Sequence, residues 1–391
     1  MTHAILHHAA LKHRGGAVRV ARLLQAAQLA AGLDARFSYE LEENDPEQLG
    51  APAAPAPKPG PQTPPPATPP AAVAHRAGQL PPGGALHLHT STDWPDLLEH
   101  LLDSDASSGL ILTLHDATPL TGGCAYPLDC PHFPACADPC PRGFPQARLR
   151  QAHISRLLNR LAPLLVSPSR WLAGLARTAL PEFTVRVVPN GVPWPDSLPT
   201  RQQARTELCL APGAKVALFA AHGGARAAYK SGPAWPDHWA RIQAAVPGCL
   251  GFAVGGDEAC TRDGLTTWPY LDRARLGLLM RAADCLVYPT LADNHPLVLL
   301  EAAALELPVA SFDIGGVPEI VRHGETGLLA PAGDVDALIG HAAALLTSST
   351  LARTLGRNAR DQGGKRFRLE RMAADYARLL GQRDASGGWG T

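Results

Sequence analysis

An acidic pair at helical spacing is the first feature of this chain that could do chemistry. Asp293 lies in a loop after a strand-like segment, and Glu301 follows eight residues later, a little over two helical turns on. A helix is predicted to begin just after Asn294 and His295, with Pro296 in its first turn, where the missing N–H costs nothing. Amides at a helix start bind phosphate, and acids accept hydrogen bonds from sugar hydroxyls. The segment therefore suits a sugar nucleotide; the alternative is an ordinary strand–helix turn with a solvated carboxylate.

A second candidate pair, His115 and Asp116, directly follows the apolar run 109–114, which is predicted to be a strand. A histidine at a strand end can hydrogen-bond a sugar or a phosphate, and the neighbouring carboxylate can fix the histidine tautomer or meet an acceptor. A purely structural role for this histidine is the alternative.

Four cysteines lie close together in the segment 124–140, namely Cys124, Cys130, Cys136 and Cys140. Such a cluster, in a chain whose start contains no signal-peptide core, favours a structural zinc ion. Two disulfides or free thiols stay open as alternatives, and so does an iron–sulfur cluster. Zinc with four protein ligands has no open position, so this metal is not expected to catalyse a reaction.

The composition excludes some classes of protein. A chain of 391 residues suits two domains, and the 35 basic residues equal the 35 acidic residues in number. A balanced charge gives no global field that would favour nucleic acid. The sequence has no run of eighteen or more apolar residues, so a cytoplasmic protein is the expectation.

The elements that must position these residues alternate between strand and helix patterns. An apolar run at 4–8, the pair Gly15-Gly16 and a helix-period segment at 20–31 predict a first strand–turn–helix unit. The backbone at Gly15 and Gly16 can approach a ligand closely, or the pair simply makes a tight turn. Alternating elements of this kind predict an α/β fold with doubly wound parallel sheets, which bind ligands at the carboxyl ends of their strands.

Proline-rich segments interrupt this alternation twice. The stretch 46–84 is low in complexity and is predicted to be a disordered insertion within the first domain. The stretch 193–199 holds three prolines and is predicted to be a linker to a second domain. The strands of that second domain are expected at 216–221, 250–255 and 283–289.

The segment after the acidic pair contains motifs that point to a family. Asp293-x7-Glu301 is followed by Gly315-Gly316-Val317-Pro318-Glu319 and by the run Gly-Glu-Thr-Gly-Leu at 324–328. This pattern resembles retaining glycosyltransferase family 4 of the GT-B fold, and the Asp-Asn-His-Pro form resembles a subgroup that builds bacterial exopolysaccharides and lipopolysaccharides. The chain departs from the pattern at Asp293, where the family has glutamate, and at Glu306, where glycine is more usual.

The resemblance implies a division of labour between two Rossmann-like domains facing across a cleft. Residues 1–192 would bind the acceptor, with Gly15, Gly16, His115 and Asp116 at the cleft. Residues 193–368 would bind the donor, and the helix in 369–391 would pack back on the first domain. Lys230 matches a family lysine that holds the donor diphosphate, with Arg226 as a displaced partner, although Ser231 breaks the usual Lys-Gly step.

The resemblance also assigns the acidic segment. Glu301 would hold the ribose, while Asp293 with Asn294 and His295 would hold the donor sugar. The helix start that completes this donor loop consists of Pro296 and Leu297.

The implied reaction is transfer of a sugar from a nucleoside-diphosphate sugar to a hydroxyl with retention, by front-face attack. The acceptor would be a glycan or a lipid-linked molecule, with peripheral contact at the inner face of a membrane. The sequence has no Asp-x-Asp motif in a suitable context, so no metal cofactor is expected for catalysis. Three alternatives stay open: a GT-B epimerase or hydrolase, a non-catalytic nucleotide-sugar binder, and a metal-binding interaction protein.

Overall fold

The computed structural model describes residues 4–42, 69–81, 83–104, 109–221, 228–256, 259–269 and 271–382. The chain divides into two compact units. The first unit draws its described residues from Met1–Asn44, Pro55–Asn190 and Leu369–Thr391, and the second draws them from Gly191–Arg368. The chain therefore leaves the first unit and returns to it with its last helix.

The first unit contains a six-stranded sheet covered by helices. Its strands are β1 Ala4–Leu11, β2 Asp34–Leu41, β3 Ala85–Leu88, β4 Leu110–Thr113, β5 Leu164–Ser167 and β6 Val185–Val187. Its helices are α1 Gly16–Ala30, α2 Pro70–Gly78, α3 Trp94–Asp103, α4 Ala147–Leu161, α5 Arg170–Ala179 and the last helix of the chain, α12 Leu369–Gly381.

All strand pairs of this sheet are parallel, in the order β2-β1-β3-β4-β5-β6. Strands β3, β4 and β5 are buried along their whole length, as expected for a sheet covered on both faces. Ser169 caps α5 by accepting a hydrogen bond from the Leu172 N–H. Helix α12 packs against α1 within this unit.

The second unit contains a seven-stranded sheet. Its strands are β7 Val216–Ala220, β8 Leu250–Gly256, β9 Cys260–Arg262, β10 Leu265–Pro269, β11 Cys285–Tyr288, β12 Val309–Phe312 and β13 Gly327–Ala330. Its helices are α6 Arg201–Glu207, α7 Trp235–Ala245, α8 Arg273–Ala282, α9 Leu297–Ala304, α10 Val335–Thr347 and α11 Ser349–Arg366.

The strand order of the second sheet is β13-β12-β11-β7-β8-β10-β9. Every pair is parallel except β9 with β10 at the edge. Strands β9 and β10 were not predicted, because they are short and only partly buried or exposed. Thr200 begins α6 with a capping box that it shares with Gln203. Both sheets together confirm the predicted α/β fold built of Rossmann-like units.

One part of the proline-rich prediction is wrong. The stretch 46–84 was expected to be disordered, but Pro70–Gly78 forms helix α2. Its first turn tolerates proline, and Val73, Ala74 and Ala77 are buried where α2 packs against α3. These apolar residues stand at helical spacing and give this end of the segment a face to bury. The part of the prediction that covers 46–68 lies outside the described residues.

Candidate functional site

The predicted acid of the donor loop, Asp293, lies at the centre of a buried polar cluster in the second unit. Strand β11 ends at Tyr288, and the loop that follows places Asp293 beside Lys230. Lys230 Nζ donates to Asp293 Oδ2 at 2.8 Å, and the Tyr288 hydroxyl donates to the same oxygen at 2.6 Å. Lys230 Nζ also lies 2.9 Å from the Tyr288 hydroxyl. Two predicted site residues, Lys230 and Asp293, are thus in direct contact.

Sequence reasoning missed Tyr288 as a member of this cluster. Burial, followed by the charge of Asp293, raises the pKa of the Tyr288 hydroxyl well above its usual range. The hydroxyl therefore stays protonated and acts as a hydrogen-bond donor. A tyrosine at the end of a predicted strand, five residues before an acid, is the sequence feature that would have identified it.

Lys230 reaches the cluster from a short 3-10 turn, Ala228–Lys230, beyond strand β7. The Trp235 indole N–H donates to the Lys230 carbonyl at 3.2 Å, and the Leu291 N–H donates to the Tyr229 carbonyl at 2.6 Å. These contacts join the lysine turn to the Asp293 loop. Ser231, which breaks the expected Lys-Gly step, adopts the left-handed region with φ 52°. Glycine adopts that conformation without steric cost, which accounts for a glycine at such a step.

A glycine turn fixes the Asp293 loop from behind. The Gly316 N–H donates to the Asp293 carbonyl at 3.0 Å. Gly315 has φ +60°, and a Cβ added there would lie 2.3 Å from the Asp293 carbonyl oxygen. Because both the φ angle and the space exclude a side chain, the Gly-Gly turn positions the acid of the site.

The start of helix α9 is buried beside this loop. Asn294 and His295 are 2% and 4% exposed, and Pro296 is the N-cap residue, so the helix begins at Leu297, one residue later than predicted. The His295 ring meets the Phe367 ring edge-on at a centroid distance of 5.5 Å. Leu297 begins the helix and is also buried. The predicted donor-loop residues Asn294, His295, Pro296 and Leu297 therefore form one packed segment next to Asp293.

Glu301 projects from the body of α9 and is paired with a cation that sequence reasoning missed. Arg273 Nη1 lies 3.0 Å from Glu301 Oε1 and 3.3 Å from Oε2. Arg273 is the first residue of α8, where no local motif marks it. Arg226, the predicted displaced partner of Lys230, lies outside the described residues.

Glu306, where the family pattern favours glycine, shows why that preference exists. Its φ is 57°, in the left-handed region. Arg281 Nη1 pairs with the Glu306 carboxylate at 3.0 Å. The Glu306 backbone also packs tightly against helix α11, since a Cβ added at Gly356 would lie 2.2 Å from the Glu306 carbonyl oxygen. The glutamate thus occupies a conformation that suits glycine.

His115 and Asp116 lie just beyond the carboxyl end of strand β4 in the first unit. His115 Nε2 lies 3.0 Å from His89 Nδ1, and burial lowers the pKa of His115 to about 3, so its imidazole is neutral. Asp116 Oδ1 accepts hydrogen bonds from the Thr118 N–H at 2.9 Å and from its hydroxyl at 2.6 Å. The structure thus gives His115 a histidine partner and turns the Asp116 carboxylate toward Thr118.

The predicted glycine pair begins helix α1. Gly15 is its N-cap residue with φ 103°, and Gly16 is its first residue. A side chain at Gly15 would be strained by this φ although the space around it is open. The glycine is therefore needed for the turn itself.

The four cysteines lie in the loop between the 3-10 turn Thr118–Leu120 and helix α4, and all four are free thiols. The Gly122 N–H donates to Cys136 Sγ at 3.3 Å. Burial raises the pKa of the Cys124 thiol to about 11, with the other three cysteines adding to the effect. In the described part of the chain, the four sulfurs do not form a group of three or more metal-ligating atoms that lie within 4.8 Å of one another. A zinc ion would thus require the loop to close around it, and this site stays a prediction.

In the described ranges no single helix is long and apolar enough to cross a membrane, and one bent pair, Val335–Thr347 with Ser349–Arg366, passes by length and composition only.

Comparisons with known proteins complete the description of the site. Residues 258–362, which include Asp293 and Glu301, match the family model described as Glycosyl transferases group 1. A stretch of 98 residues is 34% identical to N-acetyl-alpha-D-glucosaminyl L-malate synthase of Bacillus anthracis, and covers 25% of this chain and 26% of that protein. The match therefore spans about a quarter of the length of this curated relative.

Two solved structures match nearly the whole chain. Sucrose-phosphate synthase from Thermosynechococcus elongatus has a TM-score of 0.71 at 19% identity, over 97% of this chain and 98% of its own. Anabaena HepE in complex with UDP-glucose has a TM-score of 0.67 at 17% identity, over 97% and 99%. The chain therefore has the GT-B fold, and its residues 258–362 match the group 1 glycosyltransferase family.

Proposed function

We propose that this protein is a retaining glycosyltransferase that moves a sugar from a nucleoside-diphosphate sugar to a hydroxyl group. The observation that carries the proposal is the contact of Lys230 with Asp293 at the carboxyl ends of β7 and β11, next to the start of α9. Ligands of doubly wound sheets bind at such strand ends. A cation, an acid and a helix start together match the needs of a diphosphate linked to a sugar.

The second unit supplies the donor-binding groups in this proposal. Departure of the diphosphate leaves negative charge, and a fixed Lys230 stabilises that charge more in the transition state than in the ground state. Asp293, with Asn294 and His295, accepts hydrogen bonds from the donor sugar. Glu301 binds the ribose while Arg273 holds its carboxylate in place.

The first unit supplies the acceptor side, with Gly15 and Gly16 at the loop after β1 and with His115 and Asp116 after β4. A neutral His115 hydrogen-bonds the reacting sugar or a phosphate in this scheme. The acceptor is a glycan or a lipid-linked molecule, and the product belongs to cell-surface polysaccharide or glycolipid synthesis. We place the enzyme in the cytoplasm, with peripheral contact at the inner face of a membrane, and nucleic acid is not a partner.

Catalysis in this proposal uses no metal cofactor, since Lys230 and the helix amides neutralise the diphosphate. Zinc in the four-cysteine loop has a structural role. Because HepE was solved with UDP-glucose, UDP-sugars are the first donors to test.

The test is release of nucleoside diphosphate from each sugar nucleotide, with and without a panel of glycan and lipid-linked acceptors. Acceptor-dependent release that is lost in Lys230→Ala supports the proposal. Release without any acceptor would instead assign the protein as a hydrolase or a hydrolysing epimerase, with water taking the sugar. Binding without release would assign it as a nucleotide-sugar binder.

A further inference from the structure

Three buried histidines of the first unit bring their ring nitrogens together. His7 lies on β1, while His87 lies on the neighbouring strand β3 and His89 just follows it. Their exposed fractions are 0%, 1% and 1%. One ring nitrogen of each lies within 4.8 Å of the others, the one such group of metal-ligating side chains in the part of the chain that the structure describes.

The imidazoles of His7 and His87 are each held at one nitrogen by a polar side chain. Gln28 Oε1 lies 2.7 Å from His7 Nε2, and Thr113 Oγ1 lies 2.7 Å from His87 Nε2. Thr113 is held in turn by the Tyr376 hydroxyl at 2.8 Å. Each of these two histidines is thus oriented by a hydrogen bond at Nε2, and Nδ1 is the nitrogen on the opposite side of its ring. Histidines that bind metals are oriented in this way by a hydrogen bond at the opposite nitrogen.

His89 is also oriented by a hydrogen bond at one ring nitrogen, but that nitrogen is Nδ1 and the opposite one is Nε2. His115 Nε2 engages His89 Nδ1 at 3.0 Å, and His89 Nε2 lies 3.1 Å from His7 Nδ1. Two nitrogens bound to one tetrahedral zinc ion, at about 2.0–2.1 Å from the metal, lie roughly 3.3 Å apart. The His7–His89 pair is therefore already at chelating distance, and one ring nitrogen of His87 lies within 4.8 Å of a ring nitrogen of each.

We propose that His7, His87 and His89 form a binding site for a first-row transition metal ion, with Zn²⁺ the first candidate and the fourth position left to water or a small ligand. Neutral imidazoles suit zinc, copper and nickel, whereas magnesium and calcium prefer oxygen ligands. The site does not depend on the glycosyltransferase proposal.

Metal binding would also change the tautomer of His115. With the Gln28 carbonyl oxygen as acceptor, His7 Nε2 carries a proton and His7 Nδ1 accepts one from His89 Nε2. His89 Nδ1 then accepts from His115 Nε2. A metal ion bound at His89 Nε2 replaces the proton there, so the proton of His89 moves to Nδ1. His89 Nδ1 then donates to His115 Nε2, and the proton of His115 moves from Nε2 to Nδ1. No proton leaves the protein, but the donor nitrogen of His115 changes, and this consequence bears on catalysis if His115 takes part in the proposed transfer.

The test is the metal content of the full chain after chelation, reconstitution with excess Zn²⁺ and desalting, measured by mass spectrometry of the metal. His87→Phe removes one ligand, and His8→Gln is the matched control, because His8 is equally buried on β1 but bonds to Ser38 and Glu40. We expect His87→Phe to bind one metal ion per chain fewer than the wild type and His8→Gln to bind as many. Equal metal content in all three folded proteins would overturn the proposal.

A spectroscopic measurement serves if His87→Phe does not fold. Co²⁺ bound by three histidines in wild-type protein gives visible d–d bands of tetrahedral type without a thiolate-to-cobalt charge-transfer band. We expect these bands to persist after the cysteine thiols are blocked by alkylation. Loss of all Co²⁺ bands on alkylation would overturn the site. Sugar-nucleotide binding measured on the same samples shows separately whether the proposed function holds.

Discussion

Lys230 and Asp293 form the contact around which the candidate site is built, with Lys230 Nζ 2.8 Å from Asp293 Oδ2. The Asp293 side chain is 10% exposed and that of Lys230 is 30% exposed. The Tyr288 hydroxyl donates to the same carboxylate oxygen, so a cation and a neutral donor fix one acid before any ligand arrives. Preorganised groups of this kind stabilise developing charge without rearrangement.

Lys230→Ala should abolish most donor turnover. The variant removes the cation that stabilises the departing diphosphate in the proposed reaction, and it leaves the Asp293 carboxylate with the Tyr288 hydroxyl. We expect kcat to fall by roughly 10²–10³, as is typical when one stabilising donor is lost. The matched control is Lys365→Ala, at an exposed position on α11, which should keep wild-type rates. Equal rates in both variants, measured as nucleoside diphosphate release, would rule out this role for Lys230.

Gly315→Ala should damage the donor loop although the change is a single methyl group. Its Cβ would lie 2.3 Å from the Asp293 carbonyl oxygen at a φ of +60°, so the loop that carries the acid must move. We expect a loss of stability of at least about 1 kcal/mol and weaker donor binding. Gly340→Ala is the control, since no atom lies within 4 Å of its added Cβ and alanine favours the interior of helix α10. Denaturant unfolding that ranks Gly315→Ala as the more stable variant would contradict this account.

Glu306→Gly should stabilise the protein. A non-glycine residue in the left-handed region costs on the order of 1–3 kcal/mol, whereas the ion pair with Arg281 returns about 0.2–1 kcal/mol. The strain outweighs the pair, so we expect a net gain of about 0.5 kcal/mol or more in the free energy of unfolding. Glu306→Ala is the comparison, because it loses the pair and keeps the strain. Denaturation curves in which the glycine variant is no more stable than the alanine variant would show that the backbone at Glu306 is not strained.

Acid should destabilise the first unit well above the pH at which its carboxylates titrate. Burial lowers the pKa of His7 to about 4 and that of His115 to about 3. The unfolded histidines bind protons below about pH 6.5 while the folded ones stay neutral, so stability falls as pH drops from about 6.5 toward 4. Each histidine contributes a slope of up to about 1.4 kcal/mol per pH unit.

The measurement is the free energy of unfolding at a series of pH values, with chelator present. His7→Gln should lower the slope of the unfolding free energy against pH by up to about 1.4 kcal/mol per pH unit, the contribution of one histidine. A flat profile between pH 6.5 and 5 would show that these rings are protonated in the folded state.

The sequence was sufficient for the parts of the site that depend on local pattern. Asp293, Pro296 and Glu301 stand within one loop and one helix, so their spacing alone predicts their relation. Lys230 was placed by the motif it matches, and the structure brings it to Asp293.

The rest required the arrangement of strands in space. Arg273 reaches Glu301 from the start of a different helix, 28 residues earlier in the chain. His7 and His89 are 82 residues apart and meet because β1 and β3 are neighbours in the sheet. Helix α2 was missed because prolines dominate the composition of its segment and hide the apolar face of Val73, Ala74 and Ala77.

The most direct test of the central claim is thermal unfolding of wild-type protein, Lys230→Ala and Glu301→Ala with UDP-, GDP-, dTDP- and ADP-sugars. A sugar nucleotide at about a hundred times its dissociation constant should add roughly 2.7 kcal/mol, or several degrees in Tm. The account predicts that one nucleotide class raises the Tm of the wild type and of Lys365→Ala, but of neither site variant. No shift with any sugar nucleotide in folded wild-type protein would contradict the donor site.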